Sequence, residues 1–169
     1  MTAQAALNFH QTRDKAGKYL TFMLGDEYYG LEIQKVREIV AMMHITPVPR
    51  TQPFIRGVVN LRGHVIPVMD LRLKLDFPPA EPNELTCIIV VELRNNEIGM
   101  IVDKVCDVMD ISGTEIDEPP SFGMELDTDF LLGIGKAGGR VTILLDVDRV
   151  LTSDEVNMIE QNSGKAAVK

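Results

Sequence analysis

The chain has 169 residues, 45% of them hydrophobic and 25% charged, with a net charge of −8 and a mean hydropathy of +0.03. That length holds one domain or two small ones, burying roughly two thirds of the surface of the unfolded chain. An acidic balance with no stripe of Lys and Arg excludes phosphate-backbone binding, so no nucleic-acid partner is expected. The longest uncharged apolar stretch, Cys87 to Val91, spans five residues. A bilayer-crossing helix needs ~20, so no direct membrane insertion is expected either.

In chain order, residues 1–17 read as a polar, aperiodic tail without the basic and apolar regions of a secretory signal. YLTFMLGDEYYGLEI, from Tyr19, is a pair of strands about a turn at Gly25 to Glu27. A short turn of helix follows at Gln34 to Arg37, then the strand-like REIV that carries Glu38. GVVNL and VIPVMDL are two more strands, joined by Arg62 and Gly63. FPPAEPNE, residues 77–84, packs three prolines into eight residues and reads as a linker. Beyond it CIIVVELRNNEIGMIV is a second strand-turn-strand unit, and RVTILLDV a later β-run. Thr152 to Glu155 spell a capping box with Leu151 and Val156 as a hydrophobic staple, which predicts a helix over 153–161 stopped by Gly164. The expected organisation is a tail (1–17), two β-barrel subdomains (18–80 and 81–151), and a C-terminal helix and tail (152–169). Exchange of strands or a helix between the subdomains stays open.

The two segments flanking the linker are copies of one another. GVVNLRGHVIPVMD (from Gly57) aligns without a gap on GIGKAGGRVTILLD (from Gly133), at an offset of 76. Gly63 falls on Gly139, Val65 on Val141 and Asp70 on Asp146. Upstream, GLEIQKVREIV (from Gly30) aligns on GMIVDKVCDVM (from Gly99), at an offset of 69. The seven extra residues of the second copy fit within SFGMELDTD. A duplicated β half accounts for the whole pattern.

Gly133, Gly135 and Gly138 have the G-x-G-x-x-G spacing of a dinucleotide-binding loop. Such a loop must open a helix, whose N-terminus meets the pyrophosphate. Here a β-run follows, and the first copy lacks two of the three glycines, so they read as hairpin-turn glycines. Asp70 and Asp146, as symmetry mates, have the arrangement of a paired-carboxylate hydrolase. The alternative is that each ends a strand and caps the turn after it, for which DLR and DVD are suitable sequences. His10, His44 and His64 are scattered, and Asp103, Asp107 and Asp110 lack calcium-loop spacing, so neither metal nor other cofactor is expected. No G-x-S-x-G occurs, and Cys87 and Cys106, in apolar surroundings, read as reduced core thiols of a cytosolic protein. No catalytic residue emerges, and the chain reads as no enzyme. Arg62 stands out, in a turn between apolar strands. It is either an ordinary exposed turn residue or the partner of Glu38 in fixing a binding surface. The second copy has Gly138 and Asp107 at these positions. The halves have thus diverged in charge, as if each met a different partner.

YLTFMLGDEYYGLEIQKVREIV, FIRGVVNLRGHVIPVMDLR and FLLGIGKAGGRVTILLDVDRVL closely resemble the CheW family, adaptors of bacterial chemotaxis arrays. The resemblance covers about Tyr19 to Val156. Its most specific string is the G-x-x-N-L-R-G-x-x-x-P-x-x-D-L-R beginning at Gly57. It implies a mainly β fold: two pseudo-twofold-related five-stranded SH3-like barrels, short helices and a C-terminal helix. It also implies a non-catalytic scaffold that binds the regulatory domain of a CheA-type histidine kinase and the cytoplasmic tip of chemoreceptors. The location would be cytoplasmic, at the inner face of the membrane within receptor arrays. At matching positions Val36, Glu38, Gly57 and Arg62 are implied as receptor-binding or signalling residues, with Asn60 and Gly63 supporting the motif. The alternatives are a small β-barrel hydrolase using Asp70 and Asp146, and a coupling module derived from a CheV-type hybrid or from the kinase. For the latter, 169 residues leave no room for a receiver or ATP-binding domain.

Overall fold

A computed structural model describes residues 15–118, 130–151 and Glu155. The first half contributes β1 (Gly17–Leu24), β2 (Glu27–Glu32), β3 (Val36–Ala41), β4 (Ile55–Leu61) and β5 (His64–Asp70), closed by the short helix α1 (Leu71–Lys74). The second contributes β6 (Cys87–Leu93), β7 (Asn96–Val102), β8 (Lys104–Ile111), the two-residue β9 (Ile116–Asp117), β10 (Leu131–Gly135) and β11 (Thr142–Leu145), followed by α2 (Val147–Val150). The expected turn of helix before β3 is a 3-10 turn at Ile33–Lys35. The expected C-terminal helix lies outside the described residues apart from Glu155.

The strands form two sheets, in the orders β8-β1-β2-β11-β10-β9 and β3-β6-β7-β5-β4. Exchanging each strand for its repeat mate turns the first five of one order into the other, as a duplicated, pseudo-twofold fold requires. The mainly β, paired SH3-like class read from the sequence is therefore the class observed. Even the irregularities repeat. A bulge between Ile55 and Gly57 recurs between Leu131 and Gly133, and the slip between Val36 and Glu38 recurs where β1 pairs with Val105 and Val108 of β8. Bulges bend strands and redirect side chains, so their repetition means that both halves curl at the same points.

Sheets and sequence halves do not coincide. β1 and β2 of the first half sit with β8–β11, and β6 and β7 of the second sit with β3–β5. Each sheet therefore has one parallel seam between halves, β2 beside β11 and β5 beside β7. The cause is legible in the burial. β6 (CIIVVEL) is buried on both faces: Ile89 and Val91 enter a central core shared with Leu20, Phe22 and Leu31, while Ile88 and Val90 enter a smaller core with Val59 and Val68. β1 does the same, sending Phe22 and Leu24 to the shared core and Tyr19 to a third cluster with Ile111 and Leu144. A strand apolar on both faces is stable only between two cores, and placing β1 and β6 centrally satisfies both.

The G-x-G-x-x-G glycines divide differently from the sequence reading. Only Gly138, with φ of 68°, lies in the β10–β11 turn; Gly133 and Gly135 are inside β10. A Cβ on Gly133 would come 2.8 Å from the carbonyl oxygen of Asp117, so close approach of β9 to β10, not a turn, demands that glycine. Cys87 and Cys106 are free thiols, both half-buried; Cys87 packs against the shared core, and burial pushes its thiol upward, away from reactive thiolate.

Candidate functional site

The β4–β5 hairpin is closed by a two-residue turn, with Leu61 opposite His64 and positive φ at both Arg62 (52°) and Gly63 (88°). Two left-handed residues in succession are the signature of a type I′ turn, whose twist matches the flanking strands. Asn60 stabilises it: its Oδ1 accepts from the Gly63 backbone N–H at 2.9 Å. Gly63 is the residue such a turn prefers; Arg62 is not. A side chain with a Cβ in this region costs roughly 1–2 kcal/mol, less for asparagine and least for glycine, whereas the turn asks for this φ whichever residue stands there.

The turn places Arg62 over the edge strand β3, where its Nη2 donates to a carboxylate oxygen of Glu38. Arg62 is 72% exposed and Glu38 26%. The hydrogen bond it donates to Glu38, then the charges of Glu38 and Glu97, push the guanidinium above its ordinary range. An exposed pair of this kind contributes only ~0–1 kcal/mol to stability. What it does is hold a five-donor fork in one orientation at the surface.

The other predicted residues divide by role. Gly57, with φ of 142°, lets the chain at Thr46 lie close along β4: Thr46 and Val58 form an antiparallel bridge and exchange backbone hydrogen bonds at 2.8 and 2.9 Å. A Cβ there would stand 2.1 Å from the Thr46 carbonyl oxygen, so Gly57 acts on shape. Val36 is half-buried against the shared core opposite Val91, while Glu38 lies opposite Val90 on the other face of β6. The bulge between Val36 and Glu38 breaks their two-residue alternation. The structure thus joins Glu38, Arg62, Asn60 and Gly63, places Gly57 where the Thr46 segment packs on β4, and puts Val36 on the opposite face, in the core margin.

Asp70 and Asp146 are helix caps. Each ends its strand, and each Oδ1 accepts from the backbone N–H two residues on, Arg72 and Asp148 respectively, at 3.0 Å. Asp70 also has Arg56 at 3.9 Å and Asp146 has Arg149 at 3.7 Å. Their oxygens are committed to backbone amides and nearby guanidinia, which favours capping over a catalytic dyad.

Two features escaped the sequence reading. At the place in the second half equivalent to the Glu38 pair, Arg140 donates to Asp107 at 3.2 Å and stacks 4.1 Å from the centre of the Tyr28 ring. The arginine has moved from the turn to the position equivalent to His64, so aligning Gly138 with Arg62 hid it. Among the described residues, four of the five exposed large hydrophobics also come as repeat mates, Ile39 with Val108 and Val65 with Val141; Leu85, at the linker, is the fifth. The repeat alignment contained both pairs, but exposure cannot be read from it.

A CheW-like domain model matches residues 18–155. The chain is 37% identical over 143 residues to the chemotaxis protein CheW of Klebsiella aerogenes, covering 85% of this chain and 86% of that one. It is 36% identical to the chemotaxis protein CheW of Bacillus subtilis, over 81% and 88% of the two. The crystal structure of the scaffolding protein TtCheW from Thermoanaerobacter tengcongensis superposes with a TM-score of 0.76 at 34% identity, covering 83% of this chain and 95% of that one. The fold, the duplicated bulges and these matches together establish that the chain belongs to the CheW-like family of chemotaxis coupling proteins.

Proposed function

We propose that this chain is a non-catalytic adaptor that joins the cytoplasmic tip of chemoreceptors to the regulatory domain of a CheA-type histidine kinase. Its place is then the cytoplasm, at the inner membrane face, within receptor arrays. The observation that carries the reading is the Arg62 turn: an exposed, strained arginine, held by Glu38 in one orientation, on a frame that gains little stability from either. Glycine or asparagine would meet the turn's positive φ at lower cost, so an arginine kept there supports a role other than folding. Glu38 and Arg62 supply the polar contact, and Gly57 and Asn60 shape the hairpin beneath it. Val36 acts indirectly, by setting the position of β3. With their oxygens engaged as caps, Asp70 and Asp146 fit poorly as the catalytic pair of a hydrolase.

The test is co-sedimentation with a chemoreceptor cytoplasmic fragment, and separately with a kinase regulatory domain. Arg62→Ala and Glu38→Arg should each weaken receptor capture at least tenfold and leave kinase-domain capture within twofold. Equal capture of the receptor by all three proteins would refute the assignment of this surface. Hydrolytic turnover lost in Asp70→Asn with Asp146→Asn, at unchanged folding, would instead favour an enzyme.

A further inference from the structure

The two parallel seams between halves carry opposite electrical polarity at equivalent positions. At the β5–β7 seam, Arg72 of α1 grips Asp103: Nε donates to Oδ1 at 2.7 Å and Nη2 to Oδ2 at 2.6 Å. Asp103 also accepts from the Gly25 N–H at 2.7 Å, tying the β1–β2 turn to the same point. At the β2–β11 seam, Lys35 donates to Asp148 of α2 at 2.9 Å. Arg72 and Asp148 are repeat mates, each donating its backbone N–H to the capping Asp before it. Their partners lie at the matching junctions, after β7 and after β2. One seam has its cation on the helix and its anion in the facing junction; the other has the reverse.

We propose that this reversal is a recognition key: it makes the first half pair with a second half and rejects another first half. A duplicated fold whose halves share strand order, bulges and caps offers two wrong pairings, each preserving the backbone ladder. In a pair of first halves, Arg72 would face Gln34 and Lys35, a cation against a cation, with both seams alike. In a pair of second halves, Asp148 would face Asp103, with Lys104 beside it. Only the mixed pair satisfies both helices at once. Like charges placed against the wrong partner are the usual means of such discrimination. A bidentate arginine adds geometric selectivity that a lysine point charge lacks. The key acts within one chain during folding, and between chains wherever halves of neighbouring molecules could exchange through the exposed linker at 78–84.

The test uses the full chain with a protease site placed in that linker, cut while folded, then unfolded and refolded as a mixture. Native mass spectrometry counts the pairs. Wild type should return first-with-second pairs, with like pairs under about a tenth of the total. R72D with D103K keeps an ion pair at each seam but gives both seams the same polarity; like pairs should rise toward the statistical proportion, about half of the total. K35D with D148K equalises the seams the other way and should do the same; uncut, it should melt close to wild type, and R72D with D103K somewhat lower, because the lysine replacing Asp103 cannot accept from the Gly25 N–H. Like pairs from wild type at the statistical proportion would overturn the proposal. So would like pairs from both variants remaining as rare as in wild type, because packing alone would then select the partner.

Discussion

Gly57→Ala is the sharpest substitution the structure offers. The new Cβ would stand 2.1 Å from the Thr46 carbonyl oxygen and 2.9 Å from the Pro47 Cα, all backbone atoms that cannot swing aside. A non-glycine residue held at φ of 142° costs ~1–3 kcal/mol. Displacing Thr46 breaks its two hydrogen bonds with Val58, at about 1 kcal/mol net each. The sum is ~3–5 kcal/mol, which at this chain length corresponds to a fall in melting temperature of roughly 10 °C. Its repeat mate provides the internal comparison. Gly133→Ala meets the Asp117 oxygen and the Ile116 Cγ2 at 2.8 Å without a positive φ, so about 1–3 kcal/mol is expected there. Urea titrations followed by circular dichroism, read at constant m-value, measure both. Gly57→Ala within ~0.5 kcal/mol of wild type, or milder than Gly133→Ala, would refute the account of Gly57 as the residue that admits the Thr46 segment against β4.

Arg62→Asn, which gives the turn the Asn-Gly pair it prefers, should raise stability by ~0.5–1 kcal/mol in the same titration while weakening receptor capture. Val36→Asp places a carboxylate against the shared core and should destabilise by ~1–3 kcal/mol, so any binding loss must be compared at equal folded fraction. Asp146→Ala removes the α2 cap and should cost ~1 kcal/mol in thermal denaturation. Burial works to raise the Asp103 carboxyl, but the Arg72 hydrogen bond, the Gly25 amide and the Arg72 charge outweigh it and hold the group below its usual range. The folded value lies under the unfolded one. The stability it contributes is therefore complete above about pH 4 and lost as pH falls through the folded value. Asp103→Asn should flatten that acid limb of the stability-versus-pH curve.

Strands, turns and the repeat were legible because each half announces them locally. β-Branched runs, the Arg62-Gly63 and Arg94-Asn95 turns and the strand-ending aspartates all carry their own signals. The exchange of strands was not, because an internal repeat gives the same offsets whether a half pairs with itself or with its mate. Only the two-sided burial of β1 and β6 decides it. The Glu38–Arg62 site was half legible. Residue types and turn pointed to it, but the bulge at Val36 shifts the alternation by one residue and turns that side chain to the other face. Gly133 misled for a related reason: a glycine in a turn and one closely approached by a neighbouring strand look alike in sequence.

The central claim is that Arg62 is kept for coupling and not for folding. It is tested most directly by receptor-controlled autophosphorylation of a CheA-type kinase, reconstituted with receptor fragments and either wild-type adaptor or Arg62→Ala, with melting temperature measured on the same samples. The account predicts a melting temperature within about 2 °C of wild type, the shift of a sub-kcal/mol surface pair, and loss of at least nine tenths of the receptor-dependent kinase control. Full kinase control by Arg62→Ala, at the same adaptor concentration and folded fraction, would contradict it.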